Sequence, residues 1–511
     1  MSHPHWVLSC KPGWSHFRTL CVLAVRIVSF RQITVTIVIS NRPGLVDQVT
    51  AEVRRCLHEQ IDQEASCIKR ISILAVPIDQ SDPDGAFSSA WQALRDEVPI
   101  ARRLKDNLLV AAPVPSLVIL DGFQLSWMRI IRAQGDGKAP PILQWMMGFS
   151  AGFVRMCGPA DLGGRGDALR SLELRDCLEA TKPCGRLVHI PGLPPMYDWE
   201  FFPWDQGAKS EIILAAEARM SRFIEEADGL LTNSSIAYDG KECLDGISEW
   251  VARRGGRKTF HLGPMMPFRP GATRFSQSVI DAELASMPNS DGVRSLQFLD
   301  QVLENYGPRS LVYISFGTEQ WPESLDQIQA LLDTLAQRRI PFLLTYVSPA
   351  AQLPAGAQAQ FSDLGLFVRY GPQQAILGHQ ATGWFLTHGG MNGTMEALSQ
   401  GVPLIGWPFS VDQPVNIARL TRVLDVGFEL MEVRSGVNGL QPVQFRNHKP
   451  CGTTASLEKE LSEVFDAIVG EEGNMRRANA EKVRDDMARS WLEGGSARNE
   501  FEKFLDFWMK A

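Results

Sequence analysis

Between Arg369 and Leu420 the chain reads RYGPQQAILGHQATGWFLTHGGMNGTMEALSQGVPLIGWPFSVDQPVNIARL. A β-rich run, GWFLT, ends at His388; Gly389 and Gly390 follow, and Asn392, Gly393 and Thr394 open a helical stretch. Glycines let backbone approach a ligand closely. A helix N-terminus offers free N–H groups and the positive end of the helix dipole, so it is an anion site, and His388 adds a donor beside it. Phosphate or diphosphate is the anion such a site suits. An isolated HGG is no more than a strand–turn–helix connection; its neighbours decide.

A second set of polar residues lies near the start. CKPGWSHF, from Cys10 to Phe17, places His16 in a loop entering a helix, and SLVILD, ending at Asp121, puts a carboxylate at the end of a strand. Ends of parallel strands share one crevice, so these two side chains can meet. A carboxylate accepting from one imidazole nitrogen fixes the tautomer and leaves the other free to take a proton. Alone, His16 is a polar residue at a helix start and Asp121 a turn residue before Gly122.

The elements that must position these groups follow an α/β rhythm. Trp6–Cys10, Ile33–Ser40, Ile71–Val76 and Ser116–Leu120 read as strands, with a helix over Phe17–Val28 and helical stretches between the later strands. ITVTIVIS, over 33–40, is β-branched and apolar, as in a strand buried on both faces. Cys184–Trp204 is too rich in proline for regular central structure and reads as a long ordered loop. A helix over about Ser210–Ala227 follows. His261–Gly271 and the polar residues beyond it read as a linker. The rhythm then restarts, with strands at Leu311–Ser315, Phe342–Tyr346, Leu366–Tyr370, Gly383–Thr387 and Val402–Gly406, and the tail from about Ala455 reads as helical. The expected fold class is α/β: two Rossmann-like, doubly wound parallel-sheet domains with the ligand in the cleft between them. The expected division is 1–262 as the first domain, 263–290 as linker, 291–480 as the second domain, and 481–511 as helices returning to the first.

Composition narrows the partners. The 511 residues are 44% hydrophobic and 21% charged, with a net charge of −7 and no basic stripe, which argues against nucleic acid. The nine cysteines form no CxxC pair, so neither a disulfide framework nor a zinc cluster is indicated, and free thiols suit a reducing compartment. Thr19–Ser40 is apolar but broken by Arg26 and Arg31, too charged for a membrane span. MSHPHWVLSC lacks a targeting pattern. A cytoplasmic monomer without stable membrane insertion is expected.

The Arg369–Leu420 stretch resembles the nucleotide-sugar signature of family 1 UDP-glycosyltransferases, which have the two-domain GT-B fold. VYISFGT at 312–318 and IPGLPP at 190–195 extend the resemblance. It implies a UDP-sugar donor and no further cofactor or metal. Gln373 would contact the uracil edge and Tyr370 would offer it an aromatic face. His388, Gly390, Asn392, Gly393 and Thr394 would hold the diphosphate, with Thr318 reaching a phosphate from the opposite loop. Glu396 would accept from the ribose hydroxyls, and Asp412 and Gln413 would hold the sugar; a carboxylate with two acceptor oxygens matches a vicinal diol. The resemblance also implies that His16, paired with Asp121, is the general base. The chain departs from the plant form of the signature at Tyr370, Met391 and Gly393, where Trp, Trp and Ser are usual. Gly393 loses a hydroxyl donor and keeps its backbone N–H.

The expected reaction is inverting transfer of glucose or xylose to a hydroxyl of a lipophilic acceptor such as a terpenoid, polyketide, sterol or fatty acid. A noncatalytic nucleotide-sugar binder is the alternative, and it would lack a working base. A nicotinamide-dependent oxidoreductase would need a glycine fingerprint that is missing. Acceptor contacts are expected from Trp145, Met146 and Phe149 in the apolar stretch 142–157, and from Trp199 and Phe202 in the proline-rich loop, where exposed aromatics signal binding. Asp82-Pro-Asp84 reads as a polar turn rather than a metal site, Gly163–Gly166 is too incomplete for a dinucleotide loop, and Thr387-His388 has no metal-ligand partner at suitable spacing.

Overall fold

The computed structural model describes residues 3–510 except 61–63, 78–83, 102–108, 136, 172, 206, 208, 268–270, 286 and 288–289. Asp82 therefore lies outside the described residues.

Seven strands form the first sheet: β1 (His5–Ser9), β2 (Thr34–Ser40), β3 (Ile71–Val76), β4 (Leu117–Asp121), β5 (Ile142–Met146), β6 (Gly229–Thr232) and β7 (Lys258–His261). All pairings are parallel, in the order β7-β6-β5-β4-β1-β2-β3. Six strands form the second: β8 (Leu311–Ser315), β9 (Phe342–Thr345), β10 (Gly365–Val368), β11 (Thr382–Thr387), β12 (Leu404–Gly406) and β13 (Gly427–Glu429), again parallel, in the order β10-β9-β8-β11-β12-β13. Both orders reverse direction once, between β1 and β4 and between β8 and β11. Ligands of open parallel sheets sit at such switch points, beyond the carboxyl ends of the strands. His16, in the first turn of the Trp14–Phe30 helix rather than in the loop before it, and Asp121, the last residue of β4, flank the first; Thr318 and His388 flank the second.

The strands read from the sequence appear with ends shifted by one or two residues. Four were not read as strands: β5, β6, β7 and β13. β6, β7 and β13 span only three or four residues each, too short for a periodic signal. The proline-rich loop contains a two-stranded antiparallel ladder, Leu187–Val188 with Met196–Tyr197, and a 3-10 turn at Asp198–Phe201. The segment read as linker contains a helix at Gln277–Ala285.

Arg26, which interrupts the apolar run, is buried in the Trp14–Phe30 helix. Its guanidinium donates to the carbonyls of Pro264 (3.0 Å) and Met266 (3.2 Å) and lies 3.7 Å from the Trp491 ring centre. Burial pushes its pKa down to about 9. One side chain thus joins the first sheet's helix layer, the crossover and the C-terminal region. The last helix, Ser496–Trp508, packs back on the first sheet: Phe504 meets Trp6 with ring centres 5.4 Å apart, and Phe501 and Leu505 enter the same core. Among the described residues, no helix is long and apolar enough to cross a membrane, and no group of three or more His, Cys, Asp or Glu side chains could hold a metal ion. All nine cysteines are unbridged.

Candidate active site

The parallel register sets Ser9 beside Leu120. The next residues on each strand then converge. Asp121 Oδ2 accepts from the Lys11 backbone N–H (2.6 Å) and from His16 Nδ1 (3.0 Å), while Oδ1 accepts from the Phe123 N–H (3.1 Å). Three donors hold the carboxylate in one orientation. The His16 side chain is 17% exposed and that of Asp121 is 3% exposed. With Nδ1–H given to Asp121, His16 Nε2 is left as the proton acceptor. The Phe123 ring packs edge-on against the imidazole, 5.5 Å between centres.

The second switch point is built in the same way. Ser315 pairs with Thr387, which brings the Phe316–Thr318 turn alongside His388. Gly317 has φ +78°, and a Cβ there would fall 2.7 Å from the His388 ring. Only glycine permits that approach in the left-handed region. Burial lowers the His388 pKa to about 4, so near neutrality the ring is an uncharged hydrogen-bond donor. The helix Met391–Gln400 begins immediately afterwards, with Gly390 as its N-cap. Its first N–H groups have no intrahelical acceptors. Asn392 Nδ2 donates to the Ser15 carbonyl (2.8 Å), so the first turn of this helix touches the residue before His16. Thr318 and Tyr370 are exposed, and Tyr370 presents 41% of its surface.

The carboxylates differ from one another. Glu396 is buried. Its Oε2 accepts from Gln373 Nε2 (2.6 Å), and its Oε1 from Gln374 Nε2 (2.9 Å) and from Arg18 Nη1 (2.6 Å). Asp412 is the N-cap residue of the helix Gln413–Arg422, yet its side chain makes no cap hydrogen bond; Oδ2 accepts from Asn416 Nδ2 (2.7 Å). Burial raises its pKa, and the hydrogen bond from Asn416 acts against that rise. The preceding residue, Val411, has φ +60°. A β-branched residue is strained there, and such strain gathers at functional loops. Gly152 gives Asp412 room: a Cβ on it would stand 3.1 Å from Asp412 Cβ.

Two further side chains named for the donor sit in different surroundings. Thr394 is fully buried, and its hydroxyl has no hydrogen-bond partner among the described residues. Gln413 is committed to its own loop: Oε1 accepts from the N–H groups of Phe409 (2.9 Å) and Ser410 (3.1 Å), and Nε2 donates to Gln320 Oε1 (2.9 Å). It shapes the loop that presents Asp412.

The acceptor expectations change more. Trp145, Met146 and Phe149 are 1%, 5% and 0% exposed and lie in three separate cores; Trp145 and Met146 belong to β5. The apolar run that looked like a binding surface is a buried strand, Ile142–Met146, followed by a buried helix, Ser150–Cys157. Trp199 donates Nε1–H to the Pro442 carbonyl (2.7 Å), and Trp204 packs on Phe409. The aromatics of the proline-rich loop thus serve the contact between the two sheets' domains. That contact is anchored by Glu200, which accepts from Arg422 (3.1 Å); Arg422 and Arg434 in turn hold Glu429. Phe202 differs, since it lines a cavity.

Arg18 was not singled out in the sequence. It lies two residues beyond His16 and joins a cluster of Glu52, Arg55, Gln374 and Glu396. Glu283, on the Gln277–Ala285 helix, accepts from the N–H groups of Gln374 (3.1 Å) and Ala375 (3.0 Å). Burial raises the Glu283 pKa to about 7. The Glu52–Arg55 spacing of one helical turn is a local signal; the contacts of Arg55 with Gln374 and of Arg18 with Glu396 each span more than 300 residues.

Residues 292–434 match the family model described as "UDP-glucoronosyl and UDP-glucosyl transferase". UDP-glycosyltransferase eriJ of Hericium erinaceus is 27% identical over 513 residues, covering 97% of this chain and 96% of that protein. The zeatin O-xylosyltransferase of Phaseolus vulgaris is 26% identical over 343 residues, 64% of this chain and 67% of its own. A UGT transferase from Siraitia grosvenorii, crystallised with UDP, superposes with a TM-score of 0.70 over 99% of both chains at 19% identity, which shows the shared GT-B fold. The signature lies in the second sheet's domain and the similarity to eriJ runs nearly end to end: the chain matches the family 1 UDP-glycosyltransferases in its signature and in its fold.

Proposed function

We propose that this UDP-glycosyltransferase transfers glucose, or xylose, from the UDP-sugar to a hydroxyl of a small lipophilic acceptor, with inversion and without a metal. The observation that carries the reading is the His16–Asp121 pair facing the N-terminus of the Met391–Gln400 helix, the two joined at Ser15 and Asn392. His16 Nε2 takes the acceptor hydroxyl proton. The oxygen attacks the anomeric carbon from the side opposite the diphosphate, the glycosidic C–O bond forms, and the bond to the diphosphate oxygen breaks. UDP leaves with the electron pair. Helix-end N–H groups and neutral His388 stabilise the growing charge, the task a cation performs elsewhere. An α-linked donor gives a β-glycoside.

In this reading Gln373, Tyr370 and Glu396 serve the nucleoside, Asn392, Gly390, Gly393, His388 and Thr318 the diphosphate, and Asp412 the sugar. Residues 1–262 form the acceptor domain, 263–290 the linker, 291–480 the donor domain, and 481–511 the returning helices, in a cytoplasmic monomer. Unbridged cysteines support that compartment.

The test is transfer from UDP-glucose and UDP-xylose to a panel of lipophilic alcohols in excess EDTA, with the product anomer assigned by NMR. β-Glycoside formed in EDTA is the expected result. Loss of activity restored only by manganese or magnesium would overturn the metal-free route. Tight UDP-sugar binding with no transfer to any alcohol would favour a noncatalytic binder.

A further inference from the structure

A cavity of about 170 Å³ lies between the domains, beside the loop that presents Asp412. Ser410 and Val411 form one side of it, so it adjoins the place assigned above to the donor sugar. Phe202, Leu178, Ile213 and Leu214 give it an apolar lining. Arg155, Arg165 and Lys182 also line it, against the single carboxylate of Glu217.

Those charges are not balanced within the wall. Glu217 is buried and is bound by Arg165. That leaves Arg155, 5% exposed, with no carboxylate at ion-pair distance among the described residues; it donates to the Gly163 carbonyl (3.1 Å) and stacks on Phe201, 4.3 Å from the ring centre. Burial and the like charge of Arg165 lower its pKa to about 9, against the more distant carboxylates of Glu217 and Asp198. A desolvated guanidinium without an acid partner is costly. A lipophilic wall needs no such charge to hold a neutral terpenoid or sterol. A carboxylate entering beside Arg155 would restore the charge balance, and the planar fork of guanidinium donors matches it. Lys182, exposed at the rim, adds attraction on entry.

The geometry points to an acceptor that is both lipophilic and acidic: a hydroxylated apolar molecule whose carboxylate sits in this cavity, against Arg155 and Lys182, while its hydroxyl reaches His16. This rests on the glycosyl-transfer reading above and names the class of substrate that site takes.

The full-length enzyme, supplied with UDP-glucose, is tested on three acceptors of equal chain length: an ω-hydroxy acid, its methyl ester, and the plain alcohol. A charge-assisted contact contributes about 1.5–3 kcal/mol, so kcat/KM for the acid should exceed that for the ester by about tenfold or more. Lys182→Glu and Arg155→Gln should each collapse the acid-to-ester ratio. If Arg155→Gln fails to fold, Lys182→Glu at the exposed rim still decides. Ester and alcohol glycosylated as well as the acid, or a ratio untouched by Lys182→Glu in the presence of an acid preference, would overturn this inference and leave the transfer reading standing. Failure of all three acceptors, with no UDP released, would overturn the transfer reading and this inference with it.

Discussion

Arg18 Nη1 stands 2.6 Å from Glu396 Oε1, a bridge from the helix that bears His16 to the helix whose N-terminus faces the cleft. The guanidinium side chain is 17% exposed and the carboxylate 4%. Glu396 keeps Gln373 and Gln374 if Arg18 is lost, but both are neutral donors. Arg18→Met should therefore destabilise the protein by about 1–3 kcal/mol, the cost of an under-satisfied buried charge. A double-mutant cycle with Glu396→Gln, read by urea unfolding, should give a coupling above about 1 kcal/mol; additivity within about 0.5 kcal/mol would mean that the bridge contributes nothing measurable.

His16→Ala should lower kcat by about 10²–10⁴-fold, the usual contribution of a general base. UDP affinity should stay near wild type, because the nucleotide groups lie on the second sheet's domain. Steady-state rates and calorimetric UDP titrations make the comparison. Unchanged turnover would remove the His16–Asp121 pair from the chemistry.

Asp412 and Glu396 should separate sugar from nucleotide. Asp412→Ala should weaken UDP-sugar by about 1.5–3 kcal/mol, the range for a charged hydrogen bond, with little effect on plain UDP. Glu396→Ala should weaken both ligands, since the ribose belongs to each. Calorimetry of both ligands on both variants is the measurement. Equal loss of UDP and UDP-sugar affinity in Asp412→Ala would mean that the residue holds the loop rather than the sugar.

His388 supplies a pH prediction. Its folded pKa, about 4, lies below the ordinary 6.5. Above pH 6.5 the ring is neutral both folded and unfolded, and the shift has no effect on stability. As pH falls from 6.5 towards 4, the unfolded chain takes the proton first and the folded state loses stability. The site gains no imidazolium over that window. The ratio of UDP-sugar affinities for wild type and His388→Gln should thus stay flat from about pH 5.5 to 8, given the depressed value. A wild-type affinity that climbs below pH 6.5 while the variant's does not would show a charged histidine on the diphosphate.

The α/β order and the helix N-terminus after His388 were legible in the sequence because each is local. β-branched runs mark strands, glycines mark the turn, and Pro414 marks the start of the Gln413–Arg422 helix. The family signature added roles to residues that are individually unremarkable polar positions. Short strands such as β13 carried no periodic signal, and Trp145 and Phe149 looked like a binding surface because composition cannot tell a buried strand from an apolar pocket. Gln413 shows the same limit at the level of one side chain, since its hydrogen bonds to the Phe409 and Ser410 N–H groups join residues that no spacing pattern marks.

What the sequence by itself determined is the set of elements and the chemistry at their ends. Only the tertiary structure decided which ends meet. The register of β1 on β4 brings His16 to Asp121 across more than 100 residues, and the interface brings Arg18 to Glu396 across more than 370. It also left Arg155 beside a cavity with no carboxylate at ion-pair distance among the described residues. Pairing of this kind depends on burial and on the relative placement of two domains, and neither has a signature in local spacing.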